Sequence, residues 1–159
     1  MKKIVLISAI VALFAGCKAK EVFNDAVPSY PVSIRIDTNI GQYVHFTPDN
    51  INAYIIVNKD GIYFNKQLYP LPINTSFGYG GTVINVNTMN QYSAFDMCCP
   101  KCLKPNQPIE VDGGYANCPG CGEAFELMNG LGTPSRGISQ QSLRRFNTLY
   151  SNGVVQVNN

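Results

Sequence analysis

Histidine is nearly missing from this 159-residue chain: His45, in the aromatic stretch YVHF, is its one imidazole. That removes most of the side chains that move protons near neutral pH. No Ser-His-Asp set, paired-carboxylate signature or metal–water triad is visible, so the sequence nominates no catalytic residue and does not read as an enzyme. His45 itself reads as a core or surface histidine. Charge is scarce too. Asp, Glu, Lys and Arg make up 14% of the chain, against about 25% in average soluble domains. The formal net charge is +2, and Lys2 and Lys3 supply the whole excess, so everything after them is neutral. A neutral body offers no electrostatic ground for binding nucleic acid. Hydrophobic length is also short. The apolar run Ile4–Phe14 has eleven residues, well under the ~20 that cross a bilayer.

That run has a different use. MKK, then IVLISAIVALF, then Ala15-Gly16-Cys17 gives a positive start, a short apolar stretch and a small-residue exit, the layout of a secretory signal peptide over residues 1–16. LFAGC resembles the lipobox of bacterial lipoproteins, with Phe14 in place of the usual leucine. The resemblance implies that Cys17 is lipidated and becomes the mature N-terminus. The protein would then be tethered to a bacterial membrane in the cell envelope, because several acyl chains anchor far better than one. Residues 17–30 would be the lipidated end and a polar leash, and 31–159 one domain, a length that suits a single modest core.

Beyond the leash the apolar pattern has period two or short runs. The expected strands are Val32–Ile36, Ala53–Val57, Ile62–Phe64, Thr82–Val86, Ala94–Cys98, Ile109–Val111, Ala124–Leu127 and Val154–Val157. Between them stand NKDG, DGG and SNG, whose Asp-Gly and Asn-Gly steps supply the positive φ of tight hairpins. Many short strands with Gly-rich turns indicate an all-β sandwich or barrel. Ser139–Tyr150 is ambiguous, since Leu143, Phe146 and Tyr150 fall at helical spacing behind a serine. Nine tyrosines and eight phenylalanines suffice to fill a small β core. FGYGG, Phe77–Gly81, precedes a strand-like run rather than a helix, so it reads as a turn and not a phosphate cradle. Asn74-Thr75-Ser76 fits a glycosylation triplet by chance, and Arg144-Arg145 reads as a solvated face.

Cysteine is the residue in surplus. Cys17 apart, five lie between 98 and 121, and four of them form C-x2-C-x15-C-x2-C: Cys99, Cys102, Cys118 and Cys121. That spacing suits a tetrahedral four-cysteine metal site. An exported chain meets oxidising conditions, so two disulfides are a second reading, and a redox dithiol at CPKC or CPGC is a third. Cys98 adjoins Cys99 on an extended approach, so the two face opposite sides; Cys99 keeps the regular spacing and is the expected ligand.

The runs AFDMCCPKC, NCPGCGEAFELMNG and SLRRFNTLYSNGVVQV resemble the Rieske ferredoxin family, whose two loops carry C-x-H and C-x-x-H. More narrowly, the chain is similar to Rieske-like lipoproteins with cysteine-only loops. The resemblance implies a Rieske-like antiparallel β-sandwich with a small zinc-ribbon- or rubredoxin-like subdomain, its metal loops at 98–102 and 118–122. Cys121 stands where the second-loop histidine would be, and His45 lies far upstream, so the usual two-histidine ligand set cannot be assembled. What remains is a four-cysteine site for zinc, or alternatively for a single iron or a 2Fe-2S cluster in an electron-transfer protein. Zinc in a structural role is the first expectation, with a binding or envelope function and an unidentified protein partner.

Overall fold

The computed structural model describes residues 26–159; the signal-peptide segment and Cys17 lie outside them. Among the described residues there are thirteen strands and one 3₁₀ turn, Gly41–Tyr43, and no helix is long and apolar enough to cross a membrane. Nine strands form one antiparallel sheet. Along its order these are β4 (Gln67–Tyr69), β3 (Gly61–Phe64), β2 (Tyr54–Asn58), β6 (Thr82–Val86), β7 (Tyr92–Asp96), β12 (Arg145–Ser151), β13 (Val154–Asn158), β1 (Val32–Asp37) and β5 (Ser76–Phe77). The other four form a small antiparallel sheet in the order β11 (Thr133–Arg136), β10 (Ala124–Glu126), β9 (Tyr115–Asn117), β8 (Glu110–Asp112). The all-β, antiparallel class expected from the sequence is what the structure shows.

The large sheet curls until its two halves share one core. Ile34 and Ile36 of β1, Ile55 and Val57 of β2, Ile84 and Val86 of β6, and Val155 and Val157 of β13 all meet there, with Phe46 from a loop. A second core lies on the opposite face of the middle strands. There Val83 of β6 and Phe95 of β7 meet Ile109, Ala116, Phe125 and Leu127 from the region of the small sheet. The strands TVINV and YSAFD are therefore buried along their whole length, one alternate set of side chains facing each core. Polar residues carried into this double burial need partners. Thr82 Oγ1 donates to the Phe77 carbonyl at 2.9 Å, Asn85 Nδ2 to Leu127 at 3.1 Å, and Asn87 Nδ2 to Ser93 Oγ at 3.0 Å.

The turns follow from their residues. Ser151 pairs with Val154 across Asn152-Gly153, and Asp112 with Tyr115 across Gly113-Gly114. All four turn residues have positive φ, the requirement of two-residue hairpins that match strand twist. The same geometry joins β3 to β4 through Asn65-Lys66.

The ambiguous stretch Ser139–Tyr150 resolves as loop and strand. Ser139 Oγ accepts from the Gln141 amide at 3.2 Å in a local turn instead of capping a helix. From Arg145 the chain pairs with β7 and then β13. Phe146 enters the first core and Leu143 the second, while Tyr150 stays exposed against the ring of Tyr92. Helical spacing here arose from residues serving different cores.

Candidate metal centre

The two C-x-x-C segments fold alike although they belong to different connections. The first follows β7, and the second joins β9 to β10. In each, the amide just after the second cysteine donates to the carbonyl of the first: Leu103 to Cys99 at 2.9 Å and Gly122 to Cys118 at 2.9 Å. That closure needs a left-handed residue. Gly122 takes φ 73° without strain, while Leu103 takes φ 53°, a conformation leucine resists. Proline at position 100 or 119 fixes the entry to each bend. The amides of Lys101 and Cys102 are directed at the Cys99 sulfur, and those of Gly120 and Cys121 at the Cys118 sulfur.

These bends face one another, and the sulfurs of Cys99, Cys102, Cys118 and Cys121 all lie within 4.8 Å of each other. The contacts cross between bends: Cys99 Sγ is 3.8 Å from Cys121 Sγ, and Cys118 Sγ is 3.6 Å from Cys102 Sγ. Four sulfurs at about 2.3 Å from one tetrahedral ion would stand about 3.8 Å apart. All four, with Cys98, are free thiols. Cys99 and Cys118 are buried in the second core, and Cys102 and Cys121 form the half-exposed outer pair.

The cluster's electrostatics keep the Cys99 and Cys102 thiols protonated unless a cation sits among them. Burial pushes the Cys99 thiol up to about 12. The Cys121 thiol, followed by burial, pushes Cys102 up to about 11. At Cys118 burial acts upward as well, but the Gly120 and Cys121 amides and the neighbouring thiols outweigh it and the net direction is down. One thiolate is welcome among these sulfurs; four need positive charge between them. Donor chemistry, separation and amide orientation all fit a tetrahedral thiophilic ion.

Cys98 stays outside the four-sulfur set, its Sγ lying 3.8 Å from the Cys99 carbonyl. Its amide donates to Asp96 Oδ1 at 2.8 Å, and a Cβ added to Gly80 would come within 2.9 Å of the Cys98 Cβ. Asp96 is fully buried and also accepts from Tyr79 N at 2.7 Å and Gly80 N at 3.0 Å. Burial pushes its carboxyl up, against the pull of these three amides and Arg144. FGYGG is thus a turn whose amides hold a carboxylate of the chain itself, tying the start of the first bend to β5. Arg144 in turn donates to the Val27 carbonyl at 2.9 and 2.6 Å, pinning the first described residues beside the same end of the domain.

Sequence reasoning missed a second carboxylate. Glu123, buried just after the second bend, accepts from Lys101 Nζ of the first bend at 2.9 Å, and from the amides of Ile138 at 2.9 Å and Ser139 at 3.1 Å. The lysine and those amides hold its carboxyl down near 2. Gly137 has φ 108°, and a Cβ there would overlap the Glu123 carboxylate. One buried side chain thus ties both bends to the loop before β12. The available signal was one opposite charge in or beside each cysteine pair. His45 is exposed on the loop between β1 and β2 and takes no part in the sulfur cluster.

No family model matches the chain, and no curated protein does. Among solved structures it is similar to a chain of the "complex of reduced oxygenase and oxidized ferredoxin in carbazole 1,9a-dioxygenase", with 15% identity, a TM-score of 0.46, and coverage of 80% of this chain and 93% of that one.

Proposed function

We propose that Cys99, Cys102, Cys118 and Cys121 hold a single metal ion, zinc, as a structural clamp, and that the protein is a lipid-anchored envelope component with a binding rather than a catalytic role. The observation that carries this reading is the pair of sulfur contacts between bends, at 3.6 and 3.8 Å, close to the edge of a metal–thiolate tetrahedron. Bound zinc would supply charge neutralisation and a fixed crosslink, so its binding energy would become folding energy. The protein's own part is to present four sulfurs on two matched bends, direct amides at the buried pair, and lock the bends together through Glu123 and Lys101.

The half-exposed outer sulfurs favour one alternative, a single iron in the same tetrahedron exchanging electrons with a partner. A 2Fe-2S cluster fits less well. It divides its thiolates between two irons, which sets the two pairs further apart than a set confined within 4.8 Å.

Elemental analysis of protein prepared without added metal, with a visible spectrum and a thiol titration, tests the assignment. One zinc per chain in a colourless sample is expected. Iron with visible absorption would move the assignment to electron transfer. Two disulfides, or four reactive thiols with no metal retained, would overturn it.

A further inference from the structure

Seven non-glycine residues have positive φ among the described residues, and five are asparagines, which tolerate it. The other two are Leu103, at the sulfur cluster, and Lys66, at φ 64°. Lys66 occupies the second position of the β3–β4 hairpin turn, where glycine after asparagine would be relaxed. Strain kept at one position of an otherwise ordinary turn points to a use for the side chain.

Lys66 lines an open groove of about 550 Å³, with Tyr54, Ile56, Tyr63, Asn52 and Asn65 among its walls. The groove lies where the small sheet stops covering the outer face of the large one. Ile56 on its floor packs against the second core, and a Cβ on Gly114 of the β8–β9 turn would meet Asn52 Oδ1 at 2.8 Å. Tyr54 and Tyr63 point outward from β2 and β3. Tyr63 stands opposite Ile56, two residues along β2 from Tyr54, so the rings are diagonal neighbours on one face. They are 37% and 36% exposed, leaving ring surface free. Lys66 is the one charged residue in the lining.

We propose that this groove binds an acidic glycan, a chain of sugars carrying carboxylates. Tyrosine rings offer flat apolar faces to the C–H side of a sugar and a hydroxyl at the edge. Asparagine amides, each both donor and acceptor, match sugar hydroxyls. An apolar ligand would bury those amides unpaired, at a cost. A shallow, open trough suits a chain lying along it better than an enclosed small molecule. The lone ammonium, with no acidic side chain in the lining, favours an anionic group, which on a sugar chain a carboxylate supplies. The inference does not depend on the metal reading, since no cysteine lines the groove.

Isothermal titration of the full chain tests it, with trigalacturonate and a hyaluronate tetrasaccharide as acidic probes and maltotriose as the neutral one. Metal content and thermal midpoint are recorded for every variant. Saturable binding of an acidic probe is expected, at least tenfold tighter than maltotriose and weakened at least tenfold by Lys66→Gly and by Tyr63→Ala. Lys66→Gly should melt at or above the wild-type temperature, because glycine relaxes the turn, so its loss of binding cannot come from misfolding. Absence of binding to both acidic probes, equal affinity for maltotriose, or unchanged affinity in Lys66→Gly would overturn the proposal.

Discussion

At the scale of single residues, two positions near the sulfur cluster show opposite economies. Leu103 is strained by the bend it closes and about half exposed, so nothing in the core depends on its side chain. Leu103→Gly should leave metal content unchanged and stabilise the domain by about 0.5–1 kcal/mol, relief of a left-handed leucine exceeding the entropy that glycine adds to the unfolded chain. Chemical denaturation with metal assay checks this. Asp96, by contrast, holds three buried amides, and an amide in its place turns a donor toward one of them. Asp96→Asn should cost about 1–3 kcal/mol. The pH dependence has a definite sign. A carboxyl raised in the folded state contributes stability that is full below its unfolded value and is lost as pH rises through the folded one. Denaturation of wild type and Asp96→Asn should therefore show a larger gap near pH 4 than at pH 7; a smaller gap there would mean that Asp96 is favoured as the anion.

At the scale of elements, the cysteine bends act as a pair, because each sulfur contact joins one to the other. Cys118→Ser should release the metal and speed amide exchange in both 99–103 and 118–122, whereas Cys98→Ser should keep the metal, its sulfur lying outside the four-sulfur set. Metal retained in the first variant, or lost in the second, would reassign the ligands. These bends were legible in the sequence because spacing and Pro-Gly chemistry are local. So were the strands with clear alternation, such as Val32–Ile36, and the hairpins at Gly113-Gly114 and Asn152-Gly153. The strand Gln67–Tyr69 was not, because its turn uses lysine where glycine announces a hairpin. Arg145–Ser151 was obscured because Leu143 and Phe146 serve two cores, a division that periodicity cannot express. The Glu123 clasp joins residues from three segments, and no local pattern reports such a meeting.

At the scale of the whole molecule, the proposed lipid anchor and the domain predict separate outcomes. Cys17→Ala should abolish sedimentation with membranes after export while leaving metal content and melting temperature unaltered; continued sedimentation would remove the lipid anchor from the reading. Within the domain, β6 and β7 are the floor of one core and the ceiling of the other. Neither sheet can open without baring a face of those strands, so the two should lose their structure cooperatively. Calorimetry should record a single endotherm, and a chelator should shift that endotherm down as one peak instead of splitting off an earlier one. A loss at the rim of the small sheet would then be felt at the far edge of the large one.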